Sequence, residues 1–216
     1  MSAGVRTTVI GCLIFIAVVM GGFLHNISRE PGLTDEELRS RGVVLLPRPR
    51  DISPFELVDA AGKPFTNANF IGHWSILYFG FTFCPDICPT SLADLARSLP
   101  TIHAAMKEKG EDEPVQVVFI SVDPERDTTP VIANYIRAFS PEFLGAGGSL
   151  EKVAALGTQV NVAFGKVPGS TPNTYTIDHT TNAVLINPKG HYHAFLRPPF
   201  TAQRLSEALP GVANRL

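Results

Sequence analysis

The chain is poor in the residues that mark specialised classes of protein. Its 216 residues include three cysteines, three methionines and one tryptophan. So few cysteines in a chain of this length cannot build a disulfide scaffold. The methionines, one of them the initiator, make no Met-rich tract for soft metals. Charge is sparse at 18% and nearly balanced, since 18 Lys and Arg against 20 Asp and Glu leave a net −2. Without a basic excess there is no field to hold a phosphate backbone, and nucleic acid is set aside as a partner. No internal repeat or low-complexity tract occurs. What is present is 44% apolar residues, with 18 glycines and 18 prolines. That composition predicts one folded, loop-rich α/β or β-rich domain, and excludes a fibre or a disordered chain.

The run from Thr7 to Leu24 carries no charge and is mostly Val, Ile, Leu, Phe, Gly and Met. As a helix it would span ~27 Å, close to the ~30 Å hydrocarbon core of a bilayer. Arg6 alone carries charge before it, and the stub is very short, which favours the amino terminus on the cytoplasmic side. The rest of the chain is then expected on the periplasmic side of a bacterial inner membrane, or across an equivalent organelle membrane. A cleaved signal peptide competes, but no small-x-small site follows the run at Phe23, Leu24 and His25. A lipoprotein signal would need its cysteine after the apolar run, whereas Cys12 precedes most of it. A soluble helix would need a polar stripe that the run lacks. A retained, single-pass anchor over residues 1–26 is the expectation.

Residues 27–50 read as a linker. Thr34 and Glu37 are spaced as a capping box for one short helix, and Pro47 and Pro49 suit a tether. The folded domain is expected over 51–216. It opens with a hairpin, Phe55–Val58 and Phe65 around a turn at Asp59–Lys63. Trp74 to Phe83 is a nearly continuous apolar run, as in a strand buried on both faces. Leu92, Leu95, Leu99, Ile102 and Met106 then fall on one helix face. Val115–Val122 predicts a second buried strand, followed by a polar loop at Asp123–Asp127. Thr129 and Pro130 form an N-cap and N1 pair for the next helix, lined by Ile132, Ile136 and Phe139. A helix over Ser149–Leu156 is expected, then strands at Tyr175–Ile177, Ala183–Asn187 and Tyr192–Leu196, with a turn at Pro188–Gly190 and a last helix over Thr201–Leu209. Such alternation argues a central sheet with helices on its faces. In that architecture sites gather at the carboxyl ends of the strands.

Cys84 and Cys88 lie at one such end. At i and i+4 on a helix their Cβ atoms stand ~5–6 Å apart. The pair can therefore close a disulfide or clamp one soft metal ion as thiolates. Pro85 and Pro89 restrict the backbone around them, and a helix N-terminus favours thiolate. Two thiolates rarely complete a functional metal site, and the six histidines are the candidate third ligands. His25 is at the membrane border, His73 precedes the buried strand and His103 is one past core-facing Ile102. His191 and His193 share one face of a strand and read as a solvated strand end. His179 closes the short strand Tyr175-Thr-Ile-Asp-His179.

The run Phe79-Gly-Phe-Thr-Phe-Cys-Pro-Asp-Ile-Cys-Pro89 resembles the signature of the Sco/SenC family of copper-binding, thioredoxin-like proteins. Ser121-Val-Asp-Pro-Glu-Arg-Asp-Thr128 and Tyr175-Thr-Ile-Asp-His-Thr180 resemble it too, in the family's order, and the N-terminal anchor is similar to the family's organisation. The resemblance runs from about Asp51 to the C-terminus. One departure is the additional threonine at Thr128-Thr129-Pro130, which touches a helix start and no ligand. The resemblance implies an α/β, thioredoxin-like domain with a central mixed sheet flanked by helices. It also implies one copper ion held by Cys84, Cys88 and His179. The implied role is delivery of copper to the dinuclear copper A centre of cytochrome c oxidase, or reduction of that centre's cysteines. The expected partners are thus the copper-bearing oxidase subunit, a copper donor or thiol reductant, and the membrane.

Donor chemistry agrees with that implication. Two thiolates and an imidazole suit Cu(I), whereas structural zinc wants four protein ligands. Cu(II) would take a further oxygen, from water or from Asp86 or Asp178. Asp86 can instead cap the helix, and Asp178 can orient the imidazole, the role favoured for it. Asp123, Arg126 and Asp127 read as an ion-paired helix cap before they read as an ion site. The competing function is an extracytoplasmic thiol–disulfide oxidoreductase using Cys84 and Cys88, with Cys84 the more exposed thiol. That chemistry has no need of His179. A peroxidase is disfavoured because Phe81 stands where such enzymes place a threonine, and a static disulfide because so short a loop stabilises little.

Overall fold

The computed structural model describes residues 3–28, 32–112, 114–171 and 174–215. It divides into two units, Met1–Gly32 and Leu33–Leu216. In the first, α1 spans Ala3–Ser28, and the side chains of 9–23 are exposed along it. Among the described residues no helix is long and apolar enough to cross a membrane.

The second unit is a mixed α/β fold. Its strands are β1 (Val43–Arg50), β2 (Glu56–Asp59), β3 (Pro64–Thr66), β4 (Trp74–Gly80), β5 (Val115–Ser121), β6 (Leu144–Gly147), β7 (Phe164–Pro168), β8 (Tyr175–His179), β9 (Ala183–Ile186) and β10 (Tyr192–Leu196). Its helices are α2 (Asp35–Ser40), α3 (Ile87–Glu108), α4 (Thr129–Arg137), α5 (Leu150–Gln159) and α6 (Ala202–Ala213). Eight strands form one sheet in the order β1-β10-β9-β4-β5-β6-β2-β3, and β7 pairs with β8 in a separate ribbon. The three central strands β4, β5 and β6 are parallel, with antiparallel strands on both sides.

Every residue of β4 is buried, Ser75 included, as a nearly continuous apolar run requires of a strand covered on both faces. Helix α3 turns Leu92, Leu95, Leu99, Ile102 and Met106 inward at the expected spacing. Each such side chain, fully buried, contributes ~1.5–3 kcal/mol. The cap of α4 lies one residue earlier than expected, with Thr128 at the N-cap and Thr129 already helical. Strands β6 and β7 and a 3-10 turn at Asn67–Phe70 are elements the sequence did not announce.

The expected linker is the main correction. Thr34 and Glu37 do form the reciprocal capping box of α2. Residues 43–50, however, are no tether but the edge strand β1, paired antiparallel with β10. Leu38 and Val43 are completely buried. Pro47 and Pro49 are tolerated because an edge strand leaves alternate N–H groups unpaired, and the register slips between Leu45 and Arg50. The folded unit therefore begins at Leu33, not Asp51. Its start is strapped to the last helix by an Arg41–Glu207 ion pair and to the residues just after that helix by Arg215–Asp35.

Candidate metal centre

Parallel pairing sets Gly80 beside Ser121, so the loops leaving β4 and β5 emerge side by side. The first loop carries Cys84 and leads into α3, which carries Cys88. Cys88 is fully buried and Cys84 partly exposed at the turn, as expected. Asp86 is the N-cap of α3 by position, but its exposed side chain makes no capping hydrogen bond. The Cys84 sulfur does that work, accepting the Cys88 N–H at 3.4 Å. Gly80 makes room for the second sulfur. A Cβ on Gly80 would stand 2.9 Å from Cys88 Sγ and 3.1 Å from Phe119 Cε2.

His179 arrives from β8, at the end of the β7–β8 ribbon. Its Nε2 lies 3.3 Å from Cys88 Sγ. Its Nδ1 lies 3.0 Å from the carbonyl of Thr180. A carbonyl can only accept, so Nδ1 carries the proton and the Nε2 lone pair points at the thiol. Tyr78 and Phe81 stand edge-on to the ring, at centroid distances of 6.2 and 6.0 Å. Burial lowers the His179 pKa and pushes the Cys88 thiol up, so both groups are neutral near pH 7 without a metal. The ligand atoms of Cys84, Cys88 and His179 all lie within 4.8 Å of one another, and among the described residues no other such group forms. One soft ion fits among them.

The structure does not support the orienting role favoured for Asp178. Alternation along β8 turns Ile177 and His179 inward and leaves Asp178 exposed on the other face, opposite Gly165. Thr180 holds the imidazole instead. His193, expected on a solvated strand end, is buried. It packs edge-on against Trp74 at 5.5 Å, while His191 reaches Asp51 at 3.3 Å. Strand β10 lies between β1 and β9 and is buried on both faces, so alternation gives it no wet side.

Of the ion-paired helix cap expected at Asp123–Asp127, the structure shows the ion pair but not the cap, since Thr128 is the N-cap of α4 and no side chain caps that helix. Arg126 pairs with Asp123, while Asp127 accepts from Thr82 N, Thr82 Oγ1 and Ser121 Oγ at 3.0, 2.6 and 2.6 Å. Asp127 thereby pins the start of the cysteine turn. Sequence reasoning missed this link, although the adjacent carboxyl ends of two parallel strands were a signal for it.

The fold and these three side chains define a thioredoxin-like protein with a two-cysteine, one-histidine centre. The sequence profile of the SCO1/SenC family matches residues 46–214, and the chain belongs to that family. It is 35% identical to a putative copper-binding protein of Stutzerimonas stutzeri over 82% of this chain and 84% of the other. It is 37% identical to the mitochondrial SCO2 homolog of Mus musculus over 72% of this chain, a match that takes in only 59% of the mouse protein. Among solved structures, Arabidopsis thaliana ScoI with copper bound superposes with a TM-score of 0.68 at 33% identity, covering 76% of this chain and 98% of that one. Yeast Sco1 with copper bound gives 0.65 at 33% identity, covering 74% and 87%.

Proposed function

We propose that this chain is a membrane-anchored copper carrier that loads, or keeps reduced, the dinuclear copper centre of cytochrome c oxidase. The observation that carries the reading is the Nε2 lone pair of His179 aimed at paired sulfurs, a donor set matched to Cu(I). Cys84, Cys88 and His179 are the proposed ligands. Copper is cargo in this reading, taken from a donor and passed to the copper-bearing subunit. Membership of the SCO1/SenC family and likeness to relatives solved with copper bound support it.

The anchor belongs to the same proposal. Ile10, Leu13, Ile14, Phe15, Val18 and Phe23 are each more than half exposed on α1. Exposed apolar surface of that extent calls for an apolar partner, and the absence of charge from Thr7 to Leu24 suits the lipid of a bilayer as that partner. The folded unit then sits on the periplasmic side, as the very short N-terminal stub with Arg6 favours.

The second reading, thiol–disulfide exchange with a partner's cysteines, is favoured by one observation. Cys84 is partly exposed beside a buried second thiol, an arrangement that leaves one sulfur open to attack. Anaerobic titration of the reduced protein with Cu(I), beside His179→Ala, decides between them. Tight binding of one ion that is strongly weakened in His179→Ala supports the carrier. Equal or negligible binding by both proteins would leave the thiol exchanger.

A further inference from the structure

The loop after β5 carries a feature that ligand binding does not explain. The Arg126 guanidinium carbon lies 3.8 Å from the ring centre of Tyr175, 4.9 Å from that of Phe83 and 5.7 Å from that of Phe81. Phe83 immediately precedes Cys84, and Tyr175 opens the strand that ends in His179. Phe81 also meets the His179 ring edge-on. The guanidinium therefore sits between the element that carries the thiols and the element that carries the imidazole.

Its anchoring is directional on each side. Nε donates to Asp123 Oδ2 at 2.5 Å, and Nη1 donates to the Tyr175 carbonyl at 3.2 Å. The Tyr175 hydroxyl donates to the other oxygen of the same carboxylate, Asp123 Oδ1, at 2.8 Å. Asp123 is completely buried, so this carboxylate is committed to the pair. On the outer side Lys166 reaches over the Tyr175 ring at 4.4 Å and pairs with Glu125. The Arg126 Nη2 is buried with no hydrogen-bond partner among the described residues. Ring faces must offset that desolvation, and a planar guanidinium is the cation suited to them.

We propose that Arg126 is the positioning residue of the metal centre, a wedge between the Phe83–Cys84 turn and the Tyr175–His179 strand that holds the imidazole over the thiols. Ribbon β7–β8 lies outside the main sheet and has no ladder to fix it there. The stack on Tyr175 and the bond to its carbonyl take that role. The inference rests on the copper reading for its consequence, but the wedge itself exists without metal.

The experiment uses the full chain in detergent, with wild type, Arg126→Ala, Arg126→Lys and His179→Ala. Lysine keeps the charge beside Asp123 and loses the planar stack. In the metal-free proteins, amide hydrogen exchange over 175–179 is expected to quicken roughly tenfold in Arg126→Ala. With Cu(II) bound, the histidine nitrogen signature in the electron paramagnetic resonance spectrum should vanish in both Arg126 variants, as in His179→Ala. Cu(I) affinity should fall by roughly 10–100-fold, as it does when ligands lose their outer supports. Wild-type exchange, nitrogen signature and affinity in a folded Arg126→Ala protein would overturn the wedge. Should Arg126→Ala fail to fold, Tyr175→Leu removes the ring and keeps the Arg126–Asp123 pair, with the same three expectations. If His179→Ala binds copper as wild type does, the copper reading fails, and the exchange measurement still decides the wedge.

Discussion

Cys88 Sγ and His179 Nε2 stand 3.3 Å apart although 91 residues separate them along the chain. The contact buries Cys88 beneath the imidazole, while Cys84, in the loop before α3, remains open. The two thiols proposed to share one ion are thus unequal in the metal-free protein. The open one can meet a donor or a partner's sulfur first, and the buried one completes the site.

That inequality predicts unequal alkylation. In the reduced, metal-free protein, iodoacetamide should modify Cys84 faster than Cys88 by roughly tenfold or more, because exposure and thiolate fraction govern the rate. Burial both shields Cys88 and raises its pKa. Peptide mass spectrometry over time measures the two rates, and equal rates would contradict the arrangement.

Gly80 is predicted to be irreplaceable. In Gly80→Ala the new methyl carbon meets Cys88 Sγ at 2.9 Å and the Phe119 and Tyr78 rings at 3.1 and 3.2 Å. All three neighbours are in the core and cannot withdraw cheaply. Overpacking of this kind costs ~1–3 kcal/mol, and here the atom pushed aside is a proposed ligand. Urea denaturation should show the loss, and Cu(I) affinity should fall with it. Wild-type values for both would refute the close approach.

The start of the domain carries a third prediction. A fragment of residues 51–216 lacks β1 and α2, uncovers one edge of the sheet and removes Leu38 and Val43 from the core. Loss of two fully buried side chains costs about 3–6 kcal/mol. Denaturation of 33–216 against 51–216 measures it, and equal midpoints would show that β1 adds nothing.

Why β1 escaped a reading that found β4, α3 and the cysteine turn has a physical answer. Trp74–Gly80 is buried on both faces, so its residues alone specify it. Val43–Arg50 is an edge strand whose second half faces solvent, and there Pro and Arg cost nothing. Locally it is indistinguishable from a tether. Strand β7 has the same problem, with four of its five residues exposed. The cysteines were legible because they share one turn, whereas the place of His179 depends on a ribbon that only tertiary contacts position. Asp178 was misjudged for a simpler reason. Alternation along β8 already puts neighbouring residues on opposite faces, and that rule, applied strictly, separates it from the imidazole.

His193 provides the test of pH dependence. Asn187 Oδ1 accepts the N–H groups of Lys189 and His191 at 3.1 and 3.0 Å, which turns its amide nitrogen toward His193 Nδ1, 3.4 Å away. A donor facing Nδ1 favours the neutral ring. Burial lowers the His193 pKa from its ordinary 6.5, and a charge on His191 lowers it further. The unfolded chain therefore binds a proton here more readily than the folded one. The contribution of His193 to stability is complete above pH 6.5 and is lost as pH falls from there toward the folded value. His193→Gln should accordingly lose less stability than wild type between pH 7.5 and 5 in urea denaturation. Part of the acid sensitivity will remain, because the His179 pKa is lowered in the same way. Asn187→Asp would set a carboxylate against Nδ1, favour the charged ring and turn this contribution toward stability at low pH. Parallel pH profiles for wild type and His193→Gln would show that the buried ring is not the group being protonated.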